Sequence, residues 1–261
     1  MSRLTLGLLY LLLAPGFAAG AELPLRAVVD ILFKAPPASH PDFAGKDLSS
    51  LDLSGLDFKQ ARLTGVNMLG DDLSDANLSK VDLSGAKLDR TRLARTNFSG
   101  ANLAGASFFH AVGTLSLEAN AENAPNFSGA NLSGARIMAR LSRANMKAAN
   151  LADARLGPPE PGNELKTPQQ TDLAGAVLAG ANLKRADMQR VNLSFADLTG
   201  ADLTDANLAG ADLSHATLRG ANLSGTNLED ADLNGTVLTS ARGLDVTRGL
   251  EKVRNRDKAV F

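Results

Sequence analysis

From Thr171 to Leu238 a large apolar residue returns every five positions: Leu173, Leu178, Leu183, Met188, Leu193, and so on to Leu238. Two places before each stands Ala, Val or Thr, and the residue between them is usually Asp or Asn. A helix needs apolar residues near every third and fourth place and a strand needs alternation, so a period of five fits neither as a long element. Each unit nevertheless holds one short alternation. Its first and third side chains point the same way and the middle one points out. The last two residues, often Ser-Gly, Ala-Gly or Thr-Gly, are turn formers. The pattern predicts a very short strand followed by a bend, repeated. One unit cannot bury its apolar face; a succession coiling around a shared axis can.

The same register divides the chain. A first block spans residues 41–108, with large residues from Phe43 and Leu48 through Leu103 to Phe108. It starts imperfectly, because Pro41, Lys46 and Asp71 occupy inward small-residue positions. A lone buried carboxylate is costly, so Asp71 predicts a distorted corner. Register is lost over 109–125, read as an insertion loop, and resumes over 126–156 at Phe127, Leu132, Ile137, Leu141, Met146, Leu151 and Leu156. The step from Ile137 to Leu141 is four residues, so one side of that coil is a residue short. Residues 157–170 are rich in Pro, Gly and polar residues and read as a surface loop, before the third block at 171–242.

Tandem A(D/N)LXX units of this kind resemble the pentapeptide repeat family, over most of residues 43–238. The resemblance implies an all-β solenoid: a right-handed quadrilateral β-helix with four pentapeptides per coil, its central Leu or Phe and the small residue two places before filling the interior. It is specific for fold and says little about activity.

The two ends depart from the repeat. Arg3, the apolar run Leu4–Leu13 and the small residues Ala19-Gly20-Ala21 have the layout of a secretory signal over residues 1–21, cleaved between Ala21 and Glu22. Periplasmic or secreted localisation is the expectation. In residues 22–40, Leu25, Val28, Val29, Leu32 and Phe33 form one apolar stripe on a helix from Pro24 to Lys34, with Pro24 at its first position and Pro36-Pro37 as its stop. It would cap the open end of the solenoid, where unpaired strand edges invite aggregation, and a homodimer through a terminal cap is open. Residues 243–261 are expected to supply a second cap, a short helix or loop with Leu244, Leu250 and Val253 covering that end, and a solvated basic tail of Arg248, Lys252, Arg254, Arg256 and Lys258.

Composition narrows the function classes. The 261 residues carry a formal net charge of −1, one Tyr, no Trp and no Cys. Disulfides, thiolate metal sites and cysteine nucleophiles are thereby excluded. His40, His110 and His215 have no metal-ligand spacing, and no GxSxG or glycine-rich phosphate loop is present. No cofactor or metal is expected, and no enzyme. Most outward Asp residues read as a solvated face. Three function classes remain: an exported, non-catalytic scaffold or protein-binding module of the cell envelope; a DNA-mimicking topoisomerase-binding protein, favoured only by the acidic stretch Asp197–Asp232; and an envelope carbohydrate-active β-helix enzyme. Near-neutral charge and the export signal favour the first.

One cluster stands out as a candidate anion or partner site. With four sides per coil, Arg136 and Arg155 fall outward on one side, one coil apart. Arg140 and Arg143 follow on the adjoining side and corner, and Lys147 lies just beyond. The expected partner is a protein or an anionic envelope component. Glu160 and Glu164, in the adjacent loop, would neutralise the arginines if that loop folded back.

Overall fold

The computed structural model describes residues 21–36, 39–58, 61–114, 120–158 and 170–261. Residues 1–20 of the signal segment and the acidic loop residues Glu160 and Glu164 lie outside the described residues. Described strand residues pair in parallel with partners twenty positions away: Asp42 with Arg62, Asp47 with Asn67, Asp52 with Asp72, Asp57 with Asn77. Twenty residues are four five-residue units, so the chain is a four-sided solenoid of very short parallel strands. Its sides are named here by their first members: the first side by Asp42, the second by Asp47, the third by Asp52 and the fourth by Asp57.

The interior follows the sequence register. Leu173, Leu203 and Leu233 are fully buried, as are Ala176, Ala206 and Ala231 two places before the next large residue. Burying one such Leu contributes roughly 1.5–3 kcal/mol. A typical unit closes with a turn in which the next small residue donates its N–H to the carbonyl of the large one, as in Ala206 to Leu203 at 2.9 Å. Phe98 and Phe127, on the fourth side of successive coils, stack at 4.9 Å between centroids, with Phe108 edge-on to both. That stacking distance matches the spacing of paired strands, about 4.8 Å.

The outward Asp and Asn residues are not merely solvated, contrary to the expectation from sequence. Each Oδ1 accepts the N–H two residues ahead, as Asn131 does from Ser133 at 3.2 Å, which pins the turn. Each Asn also donates Nδ2–H to the residue one coil earlier. On the first side this gives a run from Asn182 to Asn150, Asn131, Asn102 and Asp82, at 2.9 to 3.1 Å. Asp can begin such a run but cannot extend it, having no donor when ionised. The first described coil places Asp on all four sides, and the last places Arg242, Arg248 and Arg254 on three and Val260 on the fourth.

Two irregularities interrupt the coils. Strand β1 (Ser107–Val112) pairs with β2 (Arg136–Arg140) in parallel, with a register shift between Phe109 and Val112. The insertion therefore starts later than the sequence register indicated: Val112 still pairs with Arg92 and Arg140, and the chain leaves the coil only beyond it. The physical reason is that a buried Ala111 and a β-branched Val112 satisfy the strand without the Leu that marks other units. Beyond β2, Arg136 pairs with Arg155, nineteen positions on, which is the expected short coil.

The N-terminal helix α1 spans Leu25–Lys34, with Pro24 as its extended N-cap rather than its first residue. Val28 and Leu32 are buried against the core, while Leu25, Val29 and Phe33 are exposed, so the covering stripe is narrower than predicted. Glu22 ties the segment down: its N–H donates to the Asp47 carbonyl and its carboxylate pairs with Lys46 at 2.7 Å. The C-terminal expectation needs a larger correction. Residues 243–261 contain two single 3₁₀ turns, Leu244–Val246 and Arg256–Lys258, and no α-helix among the described residues. They form an irregular closing coil, because Arg248, Arg254 and Val260 pair with Asn227, Asp232 and Val237. The basic residues are engaged as well: Lys252 pairs with Glu229 at 2.6 Å and Arg254 donates to the Asp230 carbonyl at 3.2 Å. Leu244, Leu250 and Val253 pack against the core, as expected.

Two substitutions test this account by urea unfolding. Leu203→Asp places a carboxylate in the interior and should cost more than about 3 kcal/mol. Asn131→Ala, on the outside, should still cost about 1–3 kcal/mol, because it strips a turn acceptor and two links of the asparagine run. Equal tolerance of both would refute the inward and outward assignment.

Candidate functional site

The second side carries the candidate cluster. Its outward column reads Lys87, Ser107, Arg136, Arg155, Asp187, each paired with the next. Arg136 and Arg155 are thus directly stacked, both exposed. Stacked like charges repel unless a counter-charge intervenes. Neither forms an ion pair among the described residues. Asp153, the one acidic residue between them in sequence, instead grips Arg185 through two hydrogen bonds of 2.7 Å. That guanidinium holds the Asp153 carboxyl below the usual carboxylate range. Below the pair, Arg136 lies over the Phe109 ring at 5.8 Å to its centroid, which orients one guanidinium without neutralising it.

Arg140 ends β2 on the third side, paired with Val112 below and Asp172 above. The Asp172 carboxylate is taken by other donors, Ser142 at 2.6 Å and Asn192 and the Ala174 N–H at 3.0 Å. Arg143 sits at the next corner with φ of 60°, and Lys147 lies in the turn after Asn145 of the fourth side. Three residues, Arg136, Arg140 and Arg155, therefore share one corner of the solenoid. Arg143 and Lys147 lead away from it around the coil.

Sequence reading missed the corner residues Arg90 and His110, because stacked corner residues are twenty positions apart and carry no local motif. It also passed over Phe195, two-thirds exposed on a turn with φ of 60°, stacked on His215 at 4.9 Å. Gly235 completes that corner: a Cβ there would meet His215 Nδ1 at 2.6 Å. The histidines lie far apart in the coil order. Among the described residues no group of three His, Cys, Asp or Glu is placed to hold a metal ion, and no helix is long and apolar enough to cross a membrane.

The acidic stretch is spread over three sides, with Asp212 and Asp232 stacked on one of them. Asp202 lies on the first side, Asp212 and Asp232 on the third and Asp197 on the fourth. Lys184 pairs with Asp202 at 3.1 Å, and Lys252 with Glu229.

The chain matches the family of pentapeptide repeats in eight copies, over residues 39–70, 76–112, 169–205 and 201–239, together more than half its length. It is similar in structure to HetL, a pentapeptide repeat protein involved in heterocyst differentiation regulation from the cyanobacterium Nostoc sp. strain PCC 7120. That likeness has 25% identity over 92% of this chain and 95% of HetL, with a TM-score of 0.40. Rfr23 from the cyanobacterium Cyanothece 51142 is 29% identical over 47% of this chain and 90% of its own, with a TM-score of 0.30. A pentapeptide repeat protein from the Arabidopsis thaliana thylakoid lumen is 27% identical over 56% of this chain and 70% of its own, with a TM-score of 0.20. No curated protein matches. The family match carries the right-handed β-helix; the individual likenesses add nothing to the site.

Asp71 is the second unusual group. It is fully buried in an inward position, and its Oδ1 accepts the Leu51 N–H at 2.9 Å while Oδ2 meets no donor. In the neighbouring turns the equivalent N–H groups of Lys46 and Leu56 go to the Phe43 and Leu53 carbonyls. The carboxylate therefore repairs a distorted corner, as the sequence implied. Burial pushes its pKa up to about 7, against the opposing pull of the Leu51 and Ser50 N–H groups. A carboxyl whose folded pKa lies above its unfolded value binds more protons in the folded state. Its stabilising share is complete below the unfolded value, 3.8, and is lost as pH rises through the folded one. Asp71→Asn keeps the acceptor and removes the charge. Its stability relative to the parent should grow by on the order of 2–4 kcal/mol between about pH 4 and pH 8, read by urea unfolding at each pH; a flat difference would refute the buried-acid assignment.

Proposed function

This chain belongs to the pentapeptide repeat family, and on that premise we propose that it is an exported, non-catalytic scaffold that binds an acidic protein surface or other anionic envelope component. The observation that carries the reading is the stack of Arg136 on Arg155 without an ion pair to either among the described residues. A surface that tolerates such repulsion gains from a partner that supplies the missing charge. Rigid stacked coils hold the two guanidinium groups at a fixed spacing, which favours recognition over mere solvation. Arg140, Arg143 and Lys147 extend the same positive surface around the corner.

Export is supported by the N-terminal segment, with its Arg3, short apolar centre and Ala19-Gly20-Ala21. The formal net charge of −1, and the pairing of Asp202 with Lys184 and of Glu229 with Lys252, argue for this reading over DNA mimicry. The exposed apolar flank of α1, with Leu25, Val29 and Phe33, supports the N-terminal cap as the contact for a second copy.

Two measurements test the proposal. Mass spectrometry of the protein recovered from the cell envelope should show Glu22 as its first residue; an intact Met1–Ala21 segment on a cytoplasmic product would overturn export. Tagged mature protein should capture a partner from an envelope fraction, less strongly as salt is raised. Arg136→Ala with Arg155→Ala should reduce capture at least about tenfold, an amount in keeping with charge-assisted contacts, and leave the unfolding midpoint unchanged or slightly higher. Capture that survives the double substitution would remove this face as the site.

A further inference from the structure

The fourth side breaks the outward pattern in the third block. Its column there reads Val177, Asp197, Thr217, Val237 and Val260, each paired with the next. Among the described residues, outward strand positions on the other sides carry Asp, Asn, Lys or Arg, with Ser107 and Val112 the exceptions. The departure weakens the fold locally. Asp197 Oδ1 accepts the Thr199 N–H at 2.9 Å, but a valine offers its turn no acceptor. Asn145 donates to Asn126 at 3.1 Å, and Val177 cannot continue that run.

A second departure adjoins the first. The corner between the third and fourth sides is held by Gly175, Phe195, His215 and Gly235, with φ of 57° to 67°. A bulky side chain is disfavoured in that left-handed conformation, and among the described residues Phe195 is the one large apolar residue that adopts it. Its ring lies along the solenoid on His215 and stays two-thirds exposed. Val260 and Phe261, each about half exposed, continue the apolar surface toward the C-terminal rim. Lost turn acceptors and a strained aromatic on one side of the same coils serve no folding purpose, and such a cost at one place points to a contact there.

The charges of this face select the occupant. Over residues 174–179, 194–199, 214–219 and 234–239, Asp197 and Arg219 are the only acidic and basic residues. Neither forms an ion pair among the described residues. Lay a second copy on the face with its axis antiparallel, so that the coil of Asp197 meets the coil of Thr217. Val177 then meets Val237, Phe195 meets His215, and each Arg219 lies beside Asp197 of the other copy. Other arrangements lose this match. Parallel copies oppose Asp197 to itself, and antiparallel copies shifted by half a coil oppose either two Asp197 or two Arg219. A patch that complements itself in one twofold register fits an isologous dimer.

We propose that this face binds a second copy of the chain, side on side and antiparallel, in the register that pairs Arg219 with Asp197. Four coils form a small patch beside the roughly 800 Å² per partner of a standard interface, so the dimer is weak, forming in the micromolar to millimolar range. The contact is lateral and separate from the one assigned above to α1.

Sedimentation equilibrium of the mature protein over that concentration range tests it. Val177→Asn with Val237→Asn is the informative variant, because asparagine is the common residue at this position and restores the turn acceptor. It should weaken association at least about tenfold by removing the apolar contact, with the unfolding midpoint unchanged or raised. Phe195→Gly should do the same, since Gly175 and Gly235 hold the same corner without strain. Arg219→Asp should abolish the dimer, and Arg219→Asp combined with Asp197→Arg should restore it. Phe33→Ser, on the exposed flank of α1, should change it by less than about twofold. A monomer at millimolar concentration overturns the proposal, as does a dimer undiminished in the Val177 and Val237 variant. A dimer lost through Phe33→Ser alone also overturns it, and assigns self-association to α1 instead. Failure of the charge exchange to restore association overturns the register and the proposal with it.

Discussion

Everything in this molecule depends on hydrogen bonds that run along its axis. A unit's strand is too short to be stable alone, and its backbone groups find partners only in the coils before and after. The Leu203 N–H goes forward to the Asn222 carbonyl, and the Asp202 N–H goes back to that of Ala181. Because those partners are fixed at one coil's length, an inserted or deleted residue must be absorbed at a corner rather than within a strand. The two departures in the middle of the chain obey this. The missing residue after Met138 falls between the second and third sides, and the extra residues between Val112 and Asn126 fall between the third and fourth. A solenoid held only by its neighbours tolerates such edits locally.

The narrow interior is the other half of the constraint. Two inward positions per unit, one small and one large, leave no room for a polar group without a partner. Thr226 shows the permitted exception, because its hydroxyl reaches the Leu203 carbonyl at 2.7 Å. Asp71 shows the limit: one oxygen repairs the Leu51 corner, and the other is stranded in the interior.

Period five made the solenoid legible from residue identities, and with it the inward Leu173–Leu238 series, the short coil at Ile137 and the stacking of Arg136 on Arg155. The rest depended on contacts between residues about a coil apart. No local pattern marks Arg90 and His110 as neighbours, and none tells that Val112 completes a strand after the Leu rhythm has stopped. The closing coil was hidden for a related reason. Arg248, Arg254 and Val260 are spaced six apart, so they break the rhythm while keeping the pairing. The dual duty of Asp and Asn was in view as composition and unread as chemistry, because the turn acceptor lies two residues ahead and the ladder partner about twenty behind.

The asparagine ladder has a direction. Each Nδ2 points toward the N-terminal end, so the chain gathers acceptors at one rim and donors at the other. The first coil is ringed by Asp42, Asp47, Asp52 and Asp57, and the last carries Arg242, Arg248 and Arg254. The solenoid is thus a polar rod, like a magnet with unlike poles. Two copies meeting tail to head would present opposite charges, a geometry that does not close and extends into a fibre. Two meeting head to head would oppose carboxylate rims. The helix across the N-terminal rim does more than shield strand edges: it blocks the pole at which end-on growth would begin, and it leaves symmetric pairing dependent on its own apolar flank.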